Sequence, residues 1–215
     1  MNITSPIGIF GGTFDPVHLG HIVPMLEIAD RFKLEQVRWI PSKIPVHRPK
    51  PVAGLEQRIS WLRQSLYPYS EFVVDLREVE RESPSWMVLT LESLQREEPQ
   101  SPLVLIVGMD AFQKIELWHR WQDIFSYAHL IVTHRPGFEI PQSGGVAKLL
   151  EDRLESDIAL LRDLPSSERG GVIFLASVKQ LNISSTEIRS RISTRKDLST
   201  MLPKQIESEV IEYYR

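Results

Sequence analysis

The chain has no cysteine in its 215 residues, which excludes disulfide staples and thiolate metal centres and leaves the redox compartment unread. It has no apolar run approaching the ~20 residues that cross a bilayer, so no membrane partner is expected. A strong excess of either charge is lacking too. The 25 Lys and Arg stand against 28 Asp and Glu, for a net charge of −3, and nucleic-acid binding, which favours a clustered basic excess, is not expected. No internal repeat and no low-complexity tract is found. The segment Met1–Pro6 lacks a basic stretch followed by an apolar one, so a secretory signal is not expected and a cytoplasmic location is. What remains, 42% hydrophobic and 25% charged residues, suits an ordinary globular protein with one sizeable core in a single domain.

The most telling stretch is Ile7-Gly8-Ile9-Phe10-Gly11-Gly12-Thr13-Phe14-Asp15-Pro16-Val17-His18-Leu19-Gly20-His21. A short apolar strand runs into paired glycines, which allow a sharp turn and close approach of a ligand to the backbone. A helix then begins, and its free N–H groups and dipole make a site for phosphate. Gly11, Gly12 and Thr13 would bring N–H groups and a hydroxyl to that phosphate. His18 and His21 could donate hydrogen bonds to phosphoryl oxygens whose charge is changing. Two other readings stand beside this one: structural histidines capping the helix, or a two-histidine metal site. The second lacks Cys or a nearby acid at a usual ligand spacing. Neither the Gly-x-Gly-x-x-Gly fingerprint nor the Walker phosphate loop is present. Asp15 reads equally as a turn-former that bonds backbone amides.

Strand-like and helix-like segments alternate. Strands are expected at Ile7–Phe10, Gln36–Ile40, Phe72–Asp75, Leu103–Val107, Leu130–Thr133 and Val172–Ala176. Helices are expected at Leu19–Phe32, Leu55–Leu66, Trp86–Arg96, through a polar stretch at Val146–Arg162, and at Ser184–Ile192 and Pro203–Tyr214, the last with proline in its first turn. This alternation predicts an α/β fold, a Rossmann-like doubly wound parallel sheet with helices on both faces. Ligands of such sheets bind beyond the carboxyl ends of the strands, where the glycine–histidine run lies. Two segments break the pattern. Pro41–Pro51 reads as an extended loop, and Phe138–Gly171 as an insertion on the far side of the sheet. Its acidic run reads as a solvated helix face.

The glycine–histidine run resembles the nucleotidylyltransferase superfamily, whose members share a His-x-Gly-His element after the first strand. Ile183-Ser184-Ser185-Thr186-Glu187-Ile188-Arg189 resembles that superfamily's second nucleotide-binding motif. Val107-Gly108-Met109-Asp110, Leu117-Trp118-His119-Arg120-Trp121 and His134-Arg135-Pro136-Gly137 follow in the same order as in the bacterial nicotinate mononucleotide adenylyltransferases. The likeness covers nearly the whole chain, with a C-terminal helical portion from about residue 184 to 215.

The resemblance implies transfer of AMP from ATP to nicotinate mononucleotide, with Mg²⁺ accompanying the ATP and His18 and His21 contacting the α-phosphate. It implies ATP and phosphate contacts from Gly11, Gly12, Thr13, Phe14, Gly20, Gly108, Asp110, Ile183, Ser184, Ser185, Thr186 and Arg189, and from His47, Arg48 and Arg135. One of the three hydroxyls at 184–186 is accounted for as a helix cap, and Asp110 reads equally as a cap. For the mononucleotide it implies Ser42, Lys43, Trp86, Met87, Trp118 and His119, with Trp118 stacked on the pyridine ring and backbone amides taking the carboxylate. Here the family's Ser-Tyr-Thr reads Ser85-Trp86-Met87, and its Pro-Asn reads Pro41-Ser42. Alternatives are an enzyme that takes the nicotinamide mononucleotide or both, and a nucleotide-binding regulator that keeps the site without the chemistry. Phosphopantetheine and glycerol-phosphate nucleotidylyltransferases share the first motif but not this motif order.

Overall fold

A computed structural model describes residues 5–44, 50–134, 140–163, 171–179 and 181–215. Six strands, β1 (Ile7–Gly12), β2 (Gln36–Pro41), β3 (Phe72–Val74), β4 (Leu103–Gly108), β5 (His129–His134) and β6 (Ile173–Ser177), form one sheet in the order β3-β2-β1-β4-β5-β6. Every pairing is parallel. The order reverses between β1 and β4, and the crevice beyond their carboxyl ends is the ligand position of doubly wound sheets.

The strands are apolar on both faces because both are covered. Along β4 the side chains alternate: Leu103, Leu105 and Val107 join one core cluster, Val104 and Ile106 the other. The first face carries α1 (Leu19–Phe32) and α2 (Leu55–Leu66). The second carries α4 (Met87–Glu97), which follows the short α3 (Arg77–Glu80), and then α5 (Met109–Phe112), α6 (Trp121–Tyr127) and α7 (Gly145–Arg153). After α8 (Leu160–Asp163), the helices α9 (Ser185–Ser193) and α10 (Glu207–Tyr214) return to the first face through Ile188, Ile192 and Val210.

Two expectations are corrected. The last helix begins at Glu207, not Pro203: Pro203 lies in the preceding turn, where its carbonyl accepts from Ile206 N–H. The 138–171 segment is no insertion on one side. Its described part breaks at Leu154, which bridges β6 at Ile173. Val146 and Leu150 pack on the second face and Leu161 on the first, so this crossover wraps the open edge of β6 and takes up an exposed backbone row there.

Candidate active site

The turn from β1 into α1 is crowded, and its glycines are set by that crowding. A Cβ on Gly11 would lie 2.8 Å from Met87 Cε, and one on Gly12 would lie 2.7 Å from the Phe14 ring. Phe14 adopts a left-handed backbone, φ 49°, that turns its side chain back into the core. There it lies edge-on to His21, ring centroids 5.4 Å apart. The Phe14 ring is only 2% exposed. The buried side chain packs against His21.

His18 is the N-cap of α1, in extended conformation. Its backbone N–H donates to His21 Nδ1 at 3.3 Å, and the two imidazoles stack with centroids 3.7 Å apart. His18 thus starts the helix, as the capping reading expects. His18 is 4% exposed, and burial lowers its pKa from 6.5 to about 3, so the ring is neutral at pH 7. A Cβ on Gly20 would come within 3.0 Å of His18 Nδ1 and 3.2 Å of Ile183 Cβ, so a side chain there would press on both. Leu19 N–H is taken by the Met201 carbonyl at 2.9 Å.

The second motif docks directly on the first. Ser184 Oγ accepts from Glu187 N–H and caps α9. Ser185 donates to the Pro16 carbonyl at 2.9 Å, and Arg189 donates to the Asp15 carbonyl at 2.5 Å and reaches Thr186 Oγ1 at 3.3 Å. Asp15 itself is 6% exposed and accepts from Val52 N–H, Ala53 N–H and the Tyr214 hydroxyl. This is the amide-bonding reading of Asp15, with amides from the segment before α2. Gly108 ends β4, and the exposed Asp110 follows in the first turn of α5, its carboxylate 2.6 Å from where a Gly108 Cβ would stand. Gly108 is the N-cap of that helix, so Asp110 is not.

On the other side, Ser42 donates through both N–H and Oγ to the Gly12 carbonyl. Lys43 N–H donates to Ser85 Oγ at 3.2 Å, and its ammonium reaches the Arg81 carbonyl. Behind Ser85 lies the buried Glu78. Burial raises the Glu78 pKa, while hydrogen bonds from Thr90 and Ser85 lower it. Trp86 stacks on His119, centroids 3.9 Å apart and planes 21° from parallel. Trp118 is partly buried against the second core cluster. The aromatic pair that faces itself here is therefore Trp86 with His119. His47, Arg48 and Arg135 lie outside the described residues. Among the described residues no group of three His, Asp or Glu side chains could hold a metal ion, and no helix is long and apolar enough to cross a membrane.

One buried side chain of this region was not singled out from the sequence. Arg58 is 1% exposed, and it bonds the Thr13 carbonyl at 2.6 Å and the Ser42 carbonyl at 3.0 Å. The signal was available: Arg58 shares a helical face with Trp61, Leu62 and Ser65, all buried, where a cation is out of pattern.

A cytidylyltransferase-like family model matches residues 9–191. A protein of Aeromonas hydrophila named "probable nicotinate-nucleotide adenylyltransferase" is 40% identical over 201 residues, covering 94% of this chain and 92% of its own. One of Dechloromonas aromatica with the same name is 41% identical over 205 residues, covering 95% and 94%. The fold is shared with the nicotinic acid mononucleotide adenylyltransferase of Plasmodium falciparum solved in complex with NaAD, at TM-score 0.67 and 17% identity over 98% of this chain and 94% of that one.

Proposed function

The chain belongs to the cytidylyltransferase-like family, with the nicotinate-nucleotide adenylyltransferases as its relatives, and from this premise we infer how its residues carry the reaction. The enzyme transfers AMP from ATP to nicotinate mononucleotide in NAD biosynthesis, forming nicotinate adenine dinucleotide and pyrophosphate. The mononucleotide phosphate attacks the α-phosphorus in line and pyrophosphate leaves. That nucleophile is already an anion, so no general base is needed, and catalysis rests on positioning and on charge stabilisation at the phosphoryl oxygens.

The observation that carries the assignment of roles is the stacked imidazole pair at the start of α1, with Arg189 over the same loop. His21 accepts at Nδ1, so its proton sits on Nε2, which is a donor for an α-phosphate oxygen. His18 is a neutral imidazole with one N–H to give. Gly11–Thr13 shape the phosphate cradle, Arg189 holds a phosphate, and Ser184–Thr186 with Asp110 serve the ATP side. Magnesium enters as part of the ATP substrate, held by phosphates and water, in keeping with its sparing use of protein ligands.

The Trp86–His119 stack and Met87 over Gly11 bound the pyridine side, where backbone amides suit a carboxylate better than an amide. A competition between the acid and amide mononucleotides at equal concentration tests this. A higher kcat/KM for the acid is expected; a higher value for the amide would overturn the acid preference.

A further inference from the structure

Arg58 is a charged side chain buried with no carboxylate within ion-pair distance among the described residues. A guanidinium is not deprotonated in a protein, and a buried charge is retained only where something holds it. Burial lowers the Arg58 pKa, and the fields of Asp15 and then Tyr214 oppose that. The two bonds that the side chain makes go to main-chain carbonyls on two separate loops. Thr13 follows β1 in the phosphate cradle; Ser42 follows β2 on the mononucleotide side. The planar fork of arginine spans two acceptors at a fixed separation, which an ammonium on a flexible stem does not.

The surroundings make this span rigid. Asp15, in the same β1–α1 turn, accepts from Val52 and Ala53 N–H, just ahead of α2. The helix that carries Arg58 is thereby tied to the loop that Arg58 bonds. Tyr214, at the end of α10, donates to Asp15 at 2.6 Å and packs against Trp61. The Ser42 loop is also bonded to Gly12. Its carbonyl, turned to Arg58, is its second anchor.

We propose that Arg58 is a positioning residue for adenylyl transfer, fixing the separation of the phosphate loop and the mononucleotide loop so that attacking and accepting atoms meet in line. This rests on the adenylyl-transfer reading of the two loops. Without Arg58 the Ser42 loop still has its two bonds to the Gly12 carbonyl, so the expected loss falls on the rate of transfer more than on the binding of either substrate.

The test is steady-state kinetics of the full chain carrying Arg58→Lys, with thermal unfolding measured in parallel, and of Arg58→Ala with and without added guanidinium. For a small misplacement of reactants, kcat falls about tenfold to a hundredfold while each KM stays within about threefold. Guanidinium ion restores kcat of Arg58→Ala, and tetramethylammonium at the same ionic strength does not. An unchanged kcat in folded Arg58→Lys, a loss confined to KM, or an equal response to both salts would overturn the proposal. If the alanine variant does not fold, the kcat and KM of the lysine variant decide. Wild-type enzyme runs alongside: absence of dinucleotide there would overturn the functional reading, and not the role of Arg58 alone.

Discussion

His18 and His21 lie ring on ring, 3.7 Å between centroids and 22° from parallel, and the backbone N–H of the first donates to Nδ1 of the second. Two imidazolium ions could not share this arrangement without strong repulsion. Burial keeps His18 neutral, and the bond at Nδ1 fixes the tautomer of His21. The backbone contact that starts α1 thus also sets which ring nitrogen of His21 is left to donate, and on the proposed mechanism that donor faces the α-phosphate.

Replacing His21 by Ala removes a donor that matters most when charge builds on the α-phosphate. The loss is expected in kcat, by about a hundredfold to a thousandfold, with ATP affinity much less affected. Direct measurement of ATP binding alongside turnover checks the split, and equal activity would remove His21 from the mechanism.

His18 makes stability depend on pH. Its folded pKa of about 3 lies below the unfolded 6.5, so the unfolded chain binds the extra proton between those values. Its contribution to stability is whole above pH 6.5 and shrinks as pH falls towards 3. Between about pH 7 and about pH 4.5 it accounts for roughly 2–3 kcal/mol. Urea unfolding at both pH values should show wild type losing more stability than His18→Asn; equal losses would contradict the buried neutral ring.

Gly11→Ala tests the pyridine side. The new Cβ would meet Met87 Cε at 2.8 Å, the end of a flexible side chain, so the fold survives and Met87 moves. The KM for the mononucleotide is expected to rise about threefold to tenfold, and the KM for ATP less, because Gly11 serves the phosphate cradle through its backbone and the added methyl displaces Met87. Separate substrate titrations read this directly.

Gly8→Ala is expected to act on stability alone. Its Cβ would lie 2.8 Å from Leu34 Cδ1, 3.1 Å from Ile106 Cδ1 and 3.2 Å from Val37 Cγ2, all in packed core. Overpacking of this kind costs about 1–3 kcal/mol, or a Tm lower by roughly 2–4 °C per kcal/mol for a chain of this size. Calorimetry checks it, with kcat of the folded fraction unchanged.

The sheet and the bounds of α1 and α2 were legible in the sequence because apolar runs and helical spacing both report burial, and burial decides those elements. The start of α10 was not, since Pro203 suits a first helical turn and a preceding turn equally. The motif at 183–189 implied ATP contacts, but not that Ser185 and Arg189 bond the backbone at Pro16 and Asp15; contacts across so much of the chain leave no local pattern. The packing of Phe14 on His21 was not legible, because its left-handed backbone is invisible in the residue type. The burial of Arg58 was legible from its helical face, but not its partners, which are carbonyls that every residue carries.

The stereochemical course at the α-phosphorus tests the central claim most directly. With an ATP analogue made chiral at that phosphorus by sulfur, a single in-line attack by the mononucleotide phosphate inverts configuration in the dinucleotide product. Inversion is the predicted result, with His18 and His21 stabilising charge and forming no bond to phosphorus. Net retention would mean two displacements through an adenylylated side chain, and would contradict that role for the histidine pair.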